Sequence, residues 1–298
     1  MQGLLLINKP KGLTSFGVVA KIKWLLHTKR VGHTGTLDPM ATGVLPVLVG
    51  RSTVLCSHLL DANKEYVATV KLGITTDTLD ITGNILSQNS VSVTGEKLLE
   101  VLNGFTGKQL QTPPMYSALK KDGVRLYDLA RQGTEVEREA REIEIFELEL
   151  LEFSGDEFKI RVLCSKGTYI RSFADDIGKT LGCGAVLTDL KRTKTAGFNL
   201  NECVDLDALT PENIIDFLKS AELAVLNYPE IKVSLKQAER FSNGGELSLE
   251  RLRFSEQPKD GEIYRIKNDE RFLGLGEVDF NKSNLKIKCL TYHPSDDA

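Results

Sequence analysis

One segment carries the residue types best suited to chemistry. Residues 31–43, VGHTGTLDPMATG, contain three glycines, one proline and a single carboxylate, Asp38. Glycine adopts backbone conformations closed to other residues and lets a ligand approach, and Pro39 restrains the chain directly after Asp38. An ionised carboxylate on such a loop is a candidate nucleophile. An Asp-Pro pair is also typical of a turn cap, which is the commoner role of a loop aspartate.

Charge is distributed unevenly along the chain, although the net charge is only −3. Residues 1–60 contain seven Lys or Arg and one acid, whereas residues 134–157 contain two Arg and ten acids. Residues 158–198 are again basic, with eight Lys or Arg against three acids. If the fold brings the two basic segments together, they form a surface that attracts phosphate. The alternative is two solvated surfaces with scattered lysines.

Composition excludes several classes of protein. With 298 residues, 41% hydrophobic and 27% charged, the chain is neither collagen-like, nor disordered, nor a disulfide scaffold. No apolar run approaches the roughly 20 residues of a membrane span, and the N-terminus does not resemble a signal peptide. We therefore expect a cytoplasmic protein whose five cysteines are thiols. No C-x-x-C pair occurs and the four histidines are scattered, so no zinc site is predicted.

The elements that must position the loop follow from hydrophobic periodicity and turn residues. Strands and helices mix without regular β-α-β alternation, which predicts an α+β main domain with a mixed or antiparallel sheet. Near Pro229 the pattern changes to short strands separated by turns, which predicts a small β-barrel-like domain over 229–298 after a main domain over 1–228. The predicted strands are 2–8, 65–72, 141–153, 158–163 and 185–198, and the predicted helices are 16–27, 52–60, 94–103, 124–131, 168–181 and one beginning at 211.

The segment GHTGTLDPMATG (32–43) resembles the catalytic motif of the TruB family, the tRNA pseudouridine-55 synthases, in its bacterial form. The resemblance implies a pseudouridine-synthase fold, with a mixed, largely antiparallel central sheet flanked by helices and a C-terminal PUA-like module. Further matching segments occur in order: NKPKGLTS (8–15), KEY (64–66), LG (72–73), TDTLDITG (76–83), QTPPMYSA (111–118), CSKGTYIR (164–171) and LKRT (190–193).

The function that this resemblance implies is isomerisation of the T-loop uridine at tRNA position 55 to pseudouridine. The glycosidic bond moves from nitrogen to carbon, without cofactor or metal. The target base must leave its stack, so the protein flips it. The implied partner is the T-stem-loop of tRNA. The resemblance implies neither association with a membrane nor an obligatory protein partner. We therefore expect a cytoplasmic monomer.

The resemblance also assigns roles to individual residues. Asp38 matches the nucleophile, whose attack on the base or on the ribose stays open. Arg171 matches the arginine that pairs with it, and Asp80 an acid that orients Arg171. The implied substrate contacts are Tyr66 stacked on the uracil, Tyr169 and Leu190 lining its pocket, His33 in the space left by the flipped base, and Lys9 supporting the loop or contacting phosphate.

Other interpretations of the same residues stay open. Without the resemblance, Tyr66 and Leu190 are typical of a strand core, Arg171 of a helix surface and Asp80 of a turn cap. A tRNA-folding or RNA-binding protein could use the loop for recognition alone. A carboxylate-based hydrolase of a nucleoside or sugar would need a general acid, for which Asp77 or Asp80 could serve. A guide-RNA-dependent, dyskerin-type enzyme shares the motifs, but nothing in the chain suggests its extensions.

Overall fold

A computed structural model describes residues 1–294 of the chain. The contacts within it define two compact units. Unit 1 consists of Met1–Asp38, Leu45–Leu60 and the chain from Asn201 onward, and unit 2 consists of Pro39–Val44 and Asp61–Leu200. No helix among residues 1–294 combines the length and the apolar character that a bilayer crossing demands.

Six α-helices, nineteen strands and several short 3-10 helices are formed within residues 1–294. The helices are α1 (Ser15–Leu25), α2 (Cys56–Leu60), α3 (Gly95–Asn103), α4 (Leu126–Arg131), α5 (Ile170–Thr180) and α6 (Leu235–Ser242). The strands are β1 (Gly3–Lys9), β2 (Val31–His33), β3 (Thr42–Val49), β4 (Lys64–Leu72), β5 (Ile74–Thr76), β6 (Ile85–Gln88), β7 (Gly107–Gln111), β8 (Lys120–Lys121), β9 (Val124–Arg125), β10 (Arg141–Ser154), β11 (Glu157–Cys164), β12 (Ala185–Thr195), β13 (Phe198–Asn199), β14 (Val204–Asp205), β15 (Glu230–Lys232), β16 (Leu247–Ser248), β17 (Ile263–Lys267), β18 (Phe272–Asp279) and β19 (Asn284–Leu290).

Unit 2 is built on a mixed sheet in the order β3-β12-β4-β11-β10-β7. The pairings from β12 through β4, β11 and β10 to β7 are antiparallel, and β12 is parallel to the first residues of β3. The strand predicted over 65–72 is confirmed as β4, along which Tyr66, Ala68, Val70 and Leu72 are buried and the residues between them are half-buried. Helix α5 packs against β12.

The predicted strands 141–153 and 158–163 are also confirmed, and they form a hairpin. Strands β10 and β11 pair through a turn at Gly155 and Asp156, where Gly155 has a φ of 68° that favours glycine. The acidic run on β10 is explained locally, because Glu147 and Glu149 both accept hydrogen bonds from Arg161 on β11.

In unit 1, β1 lies between β14 and β3, and β2 pairs with β3. The predicted first helix is confirmed as α1, which starts after Thr14 because the Thr14 side chain accepts a hydrogen bond from the Gly17 N–H. Its buried face, including Val18 and Ile22, packs into a core with strands β1 and β3.

Residues 230–294 form the predicted strand-rich region, a five-stranded sheet in the order β15-β17-β18-β19-β16. This sheet encloses its own apolar core around Phe241 and Ile266. Because the contacts place the region in unit 1 with the N-terminal segment, the division into domains 1–228 and 229–298 stays a prediction. The mixed α+β architecture agrees with the expected class.

The prediction of a helix that begins at residue 211 is wrong. Residues 211–213 form a turn, and only a short 3-10 helix follows at Ile214–Phe217. The Asn213 side chain accepts from the Thr210 N–H and donates to the Ala208 carbonyl. The first of these bonds is typical of a helix start, and the Ile214 N–H donates to the Thr210 carbonyl. The helix does not continue, because Lys219 pairs through its backbone with Leu4 on β1.

Candidate active site

The segment that contains Asp38 is fixed by hydrogen bonds within unit 1. The Ser15 hydroxyl, at the start of α1, donates to the Leu37 carbonyl at 3.1 Å and accepts from the Leu37 N–H at 2.9 Å. Upstream, the Thr34 N–H donates to the Pro46 carbonyl on β3. Asp38 itself is half-exposed. The residue before the carboxylate is thus anchored to a helix, which restricts where the carboxylate can lie.

Two further predicted site residues belong to unit 1. His33 ends β2, opposite Val47 on β3, and is half-buried. Lys9 ends β1 with its side chain fully buried. Its ammonium donates to the Pro10 carbonyl at 2.8 Å and the Leu13 carbonyl at 2.5 Å. Of the two roles expected of Lys9, this placement favours support of the turn over contact with phosphate.

Tyr66 and Leu190 lie on neighbouring strands at the centre of the unit 2 sheet. Tyr66 on β4 is 6% exposed and faces Arg192 on β12 in the strand register, and Leu190 on β12 is 5% exposed. Arg192 is fully buried, and its Nε donates to the Val44 carbonyl at 2.8 Å. Gly43 has a φ of 106°, and a Cβ there would lie 2.2 Å from the Arg192 carbonyl oxygen, so only glycine permits this close approach of β3 to β12.

Arg171, the second residue of α5, is 4% exposed. One of its terminal nitrogens donates to the Thr78 carbonyl at 3.0 Å and the other to the Tyr116 carbonyl at 2.8 Å. Its Nε lies 4.0 Å from Oδ2 of Asp80. Backbone carbonyl groups of two loops thus bind the guanidinium, and the Asp80 carboxylate lies at the limit of ion-pair distance.

Asp80 organises the loop between β5 and β6. Its Oδ1 accepts from the Thr78 hydroxyl at 2.9 Å, the Thr82 N–H at 2.9 Å and the Thr82 hydroxyl at 2.5 Å. Its backbone carbonyl accepts from Thr76. Asp80 was expected to orient Arg171. It can also do so indirectly, because it fixes the loop whose Thr78 carbonyl binds the guanidinium.

Gln111 has a role that the sequence did not reveal. Tyr169 is the N-cap residue of α5, and its side chain forms no capping hydrogen bond. The Gln111 side-chain amide instead donates to the Tyr169 carbonyl at 3.1 Å and accepts from the Tyr169 N–H at 2.8 Å. The signal in the sequence is the QTPPMYSA motif (111–118), whose first residue is this glutamine.

Two buried cations lie near Tyr66: Lys64 two residues earlier on β4, and Arg192 opposite Tyr66 on β12. Lys64 is 9% exposed, and its ammonium donates to the Ala62 carbonyl at 2.6 Å. Burial and the nearby Arg192 charge lower the pKa of Lys64 to about 8. Burial raises the pKa of the Cys164 thiol to about 11, so that thiol is a poor nucleophile near neutral pH. Arg192 and Lys64 were not predicted as site residues, although both lie in the matching motifs.

The basic composition of 158–198 contributes less positive surface than expected. Arg171 and Arg192 are buried. Arg161 and Lys194 both donate to the carboxylate of Glu65, which is 6% exposed. The charge of Glu65 thus offsets part of the positive charge of the segment.

The structure therefore places the predicted residues in two groups. Unit 2 brings Asp80 to Arg171 and places Tyr66 and Leu190 on adjacent strands. Asp38, His33 and Lys9 belong to unit 1, so the pairing of Asp38 with Arg171 stays a prediction. Within residues 1–294, no group of three or more His, Cys, Asp or Glu side chains is placed to hold a metal ion.

Comparison with known proteins identifies the family. Residues 23–170 match the model of the N-terminal domain of TruB family pseudouridylate synthases, and residues 171–222 match that of the C-terminal domain of tRNA pseudouridylate synthase B. The chain belongs to the TruB family. The TruB resemblance of the short motifs is thereby confirmed over most of the chain.

TruB relatives extend over nearly the whole sequence. The tRNA pseudouridine synthase B of Azoarcus sp. is 47% identical over 281 residues, covering 93% of this chain and 91% of that protein. That of Clostridium acetobutylicum is 45% identical over 293 residues, covering 98% of this chain and 100% of that protein. That of Clostridium kluyveri is 40% identical over 289 residues, with 96% and 99% covered.

Solved structures agree on the TruB fold. A chain of a Cbf5–Nop10–Gar1 complex superposes with a TM-score of 0.73 at 26% identity, covering 98% of this chain and 86% of that chain. A chain of an archaeal box H/ACA Nop10–Cbf5 complex gives a TM-score of 0.72 at 26% identity, with the same shares covered. The expected pseudouridine-synthase fold is thus confirmed.

Proposed function

We propose that this chain is a tRNA pseudouridine synthase that isomerises uridine 55 in the T-loop. Membership of the TruB family supports the reaction, and its relatives of 40–47% identity carry the name tRNA pseudouridine synthase B. The observation that carries the proposal in the structure is the buried guanidinium of Arg171, fixed by two carbonyl groups. An arginine held in this way presents a permanent positive charge in one orientation, which suits a partner carboxylate.

In the proposed reaction, Asp38 is the nucleophile and Arg171 keeps its carboxylate charged and oriented. The glycosidic bond to N1 of the uracil breaks, the base turns, and a bond from C5 to the ribose forms. One proton leaves C5 and one is gained at N1, so the reaction is an isomerisation that consumes no other reactant. Either the base or the ribose can be the point of attack.

The remaining predicted residues bind the substrate. Tyr66 stacks on the extruded uracil, a contact that contributes about 1–3 kcal/mol per base. Tyr169 and Leu190 line the pocket, His33 fills the space that the base leaves, and Lys9 maintains the turn that follows β1.

The proposal is tested with an unmodified T-stem-loop transcript and the purified chain. Carbodiimide adducts that stop reverse transcription should map one new pseudouridine, at the position corresponding to tRNA uridine 55. Asp38→Asn should abolish product while binding of the transcript survives. The matched control is Asp207→Asn, which removes a carboxylate of the same unit that pairs with Lys21 at the surface. Normal turnover by Asp38→Asn would exclude Asp38 as the nucleophile.

The same assay separates the alternatives. An RNA-folding or RNA-binding protein would bind the transcript and leave every uridine unmodified. A hydrolase would release free uracil or a sugar from small substrates. Either outcome with the wild-type chain contradicts the proposed isomerase.

The partner of this reaction is tRNA, and we further propose that the chain acts as a cytoplasmic monomer without a protein partner. The structural relatives of the Cbf5 type were solved as complexes with Nop10, so the point needs its own test. Light scattering of the pure chain should give one 33.0 kDa particle that is active alone. Activity that appears only when a cell extract is added would contradict it.

A further inference from the structure

We propose that Gln111 is a positioning residue that fixes the start of α5 and thereby the guanidinium of Arg171. The inference rests on the proposed function, because it assigns Gln111 to the placement of a catalytic arginine. Gln111 ends β7 and is 3% exposed. The inference depends on contacts within unit 2 alone.

The contact between Gln111 and Tyr169 is reciprocal. The side-chain amide donates at 3.1 Å to the carbonyl of Tyr169 and accepts at 2.8 Å from its N–H. A primary amide is the side-chain group that offers one donor and one acceptor side by side. The glutamine thus restrains both backbone groups of the residue two positions before Arg171.

Two further bonds tie the same two segments together. The Ser172 hydroxyl donates to the Thr112 carbonyl at 3.1 Å, and the Arg171 guanidinium donates to the Tyr116 carbonyl at 2.8 Å. Residues 169, 171 and 172 are therefore each bound to the segment 111–116. These hydrogen bonds together determine the position of the Tyr116 carbonyl relative to Arg171.

The pair of hydrogen bonds between Gln111 and Tyr169 takes the place of an ordinary helix cap. Neither the Tyr169 side chain nor an acidic residue in the first turn stabilises the start of α5, although such groups are the usual partners of unsatisfied N–H groups. The first turn of α5 is therefore held from outside the helix, by a side chain of another strand. Without it, the first turn can shift, and misplacement of a catalytic group by about 1 Å can cost about 100-fold in rate.

The experiment compares Gln111→Met, Gln111→Glu and Gln109→Met. Methionine has nearly the length of glutamine but cannot make either hydrogen bond to Tyr169. Gln109 lies two residues earlier on β7 and donates only to the nearby Phe105 carbonyl, so Gln109→Met is the matched control. Turnover at saturating T-stem-loop RNA, the dissociation constant for the RNA and the melting temperature are measured for each.

For Gln111→Met we expect turnover to fall about 10- to 100-fold, with a dissociation constant within about threefold of wild type. Gln109→Met should keep wild-type turnover. Equal turnover for Gln111→Met and wild type would overturn the proposal. A loss confined to RNA affinity, with turnover at saturation unchanged, would also overturn it, because the residue would then serve binding alone.

Gln111→Glu adds a readout that a purely structural role would not give. The ionised carboxylate accepts from the Tyr169 N–H but repels its carbonyl oxygen, whereas the protonated form reproduces the donor and acceptor of glutamine. Burial favours protonation of such a carboxyl. The turnover of Gln111→Glu relative to wild type should therefore rise as the pH falls from about 8 to about 6. A turnover ratio that stays constant over this range would contradict the proposed positioning role of Gln111.

If Gln111→Met does not fold, Gln111→Glu is the decisive variant, because its protonated side chain can make both hydrogen bonds to Tyr169. Its turnover relative to wild type should then rise as the pH falls, with RNA affinity retained, and a ratio that does not change with pH would overturn the proposal. The proposed function fails separately, since in that case the wild-type chain forms no pseudouridine at all.

Discussion

Lys64 should make the stability of the wild-type protein respond to pH in a defined direction, and its substitution should remove that response. The ammonium is 9% exposed, and burial together with the Arg192 charge lowers its pKa from 10.5 to about 8. Each pKa unit corresponds to about 1.4 kcal/mol. Holding this ammonium in the folded protein therefore costs about 3 kcal/mol at neutral pH.

The direction of the effect follows from the proton count. Below about pH 8 the ammonium is charged in the folded and the unfolded state, so the full cost of burial applies. Between about pH 8 and 10.5 the unfolded chain keeps the proton that the folded protein has released, so the free energy of unfolding rises with pH. The gain of wild type over Lys64→Met should be about 2 kcal/mol between pH 7 and pH 9.5.

The measurement is urea unfolding followed by far-ultraviolet circular dichroism, for wild type and Lys64→Met over that pH range. The difference between the two proteins cancels the titration of the groups that they share. Lys71→Met is the matched control, because Lys71 lies on the same strand with a solvent-accessible ammonium paired to Asp156. A wild-type-minus-variant difference that stays constant within about 0.5 kcal/mol would refute the buried-cation reasoning.

Three other substitutions have expected outcomes. Asp80→Ala removes a 6% exposed carboxylate that accepts three hydrogen bonds and should lower the free energy of unfolding by about 3 kcal/mol in urea titration. Asp77→Ala, which removes a more exposed carboxylate bonded to Asn84, should cost less. Gly43→Ala combines a φ of 106° with a 2.2 Å clash and should yield little soluble protein; wild-type expression and melting temperature would contradict the close approach of the strands. Phe241→Ala should cost about 4 kcal/mol, because this ring is fully buried in the C-terminal core.

Much of the fold was accessible from the sequence because its patterns are local. The alternation along β4 and the Gly155 turn determine a strand and a hairpin from a few neighbouring residues. The cap at Thr14 likewise marks the start of α1. The failure at 211 has a non-local origin. Thr210 and Pro211 are a valid start signal, but the backbone pairing of Lys219 with the distant Leu4 ends the helical segment after a few residues.

The candidate site was predictable only as far as residue types reveal roles. The motifs point to Asp38 and Arg171 as residues that carry chemistry. Two of the groups that bind Arg171, however, are the backbone carbonyls of Thr78 and Tyr116, and any residue has such a group. Sequence cannot single out a carbonyl. Gln111 was missed for a related reason, because its partner is the backbone of a residue on a distant element.

The order in which strands leave the ribosome has a consequence for unit 1. Strand β1 pairs with β14, and Asn8 bonds across 197 residues to Asp205. In the nascent chain, β1 can pair early with β3, whereas its other edge has no partner strand until most of the polypeptide has been made. Late pairing of this kind slows folding and leaves an unpaired strand edge exposed. Translation arrested before residue 204 should therefore produce fragments that aggregate or recruit chaperones.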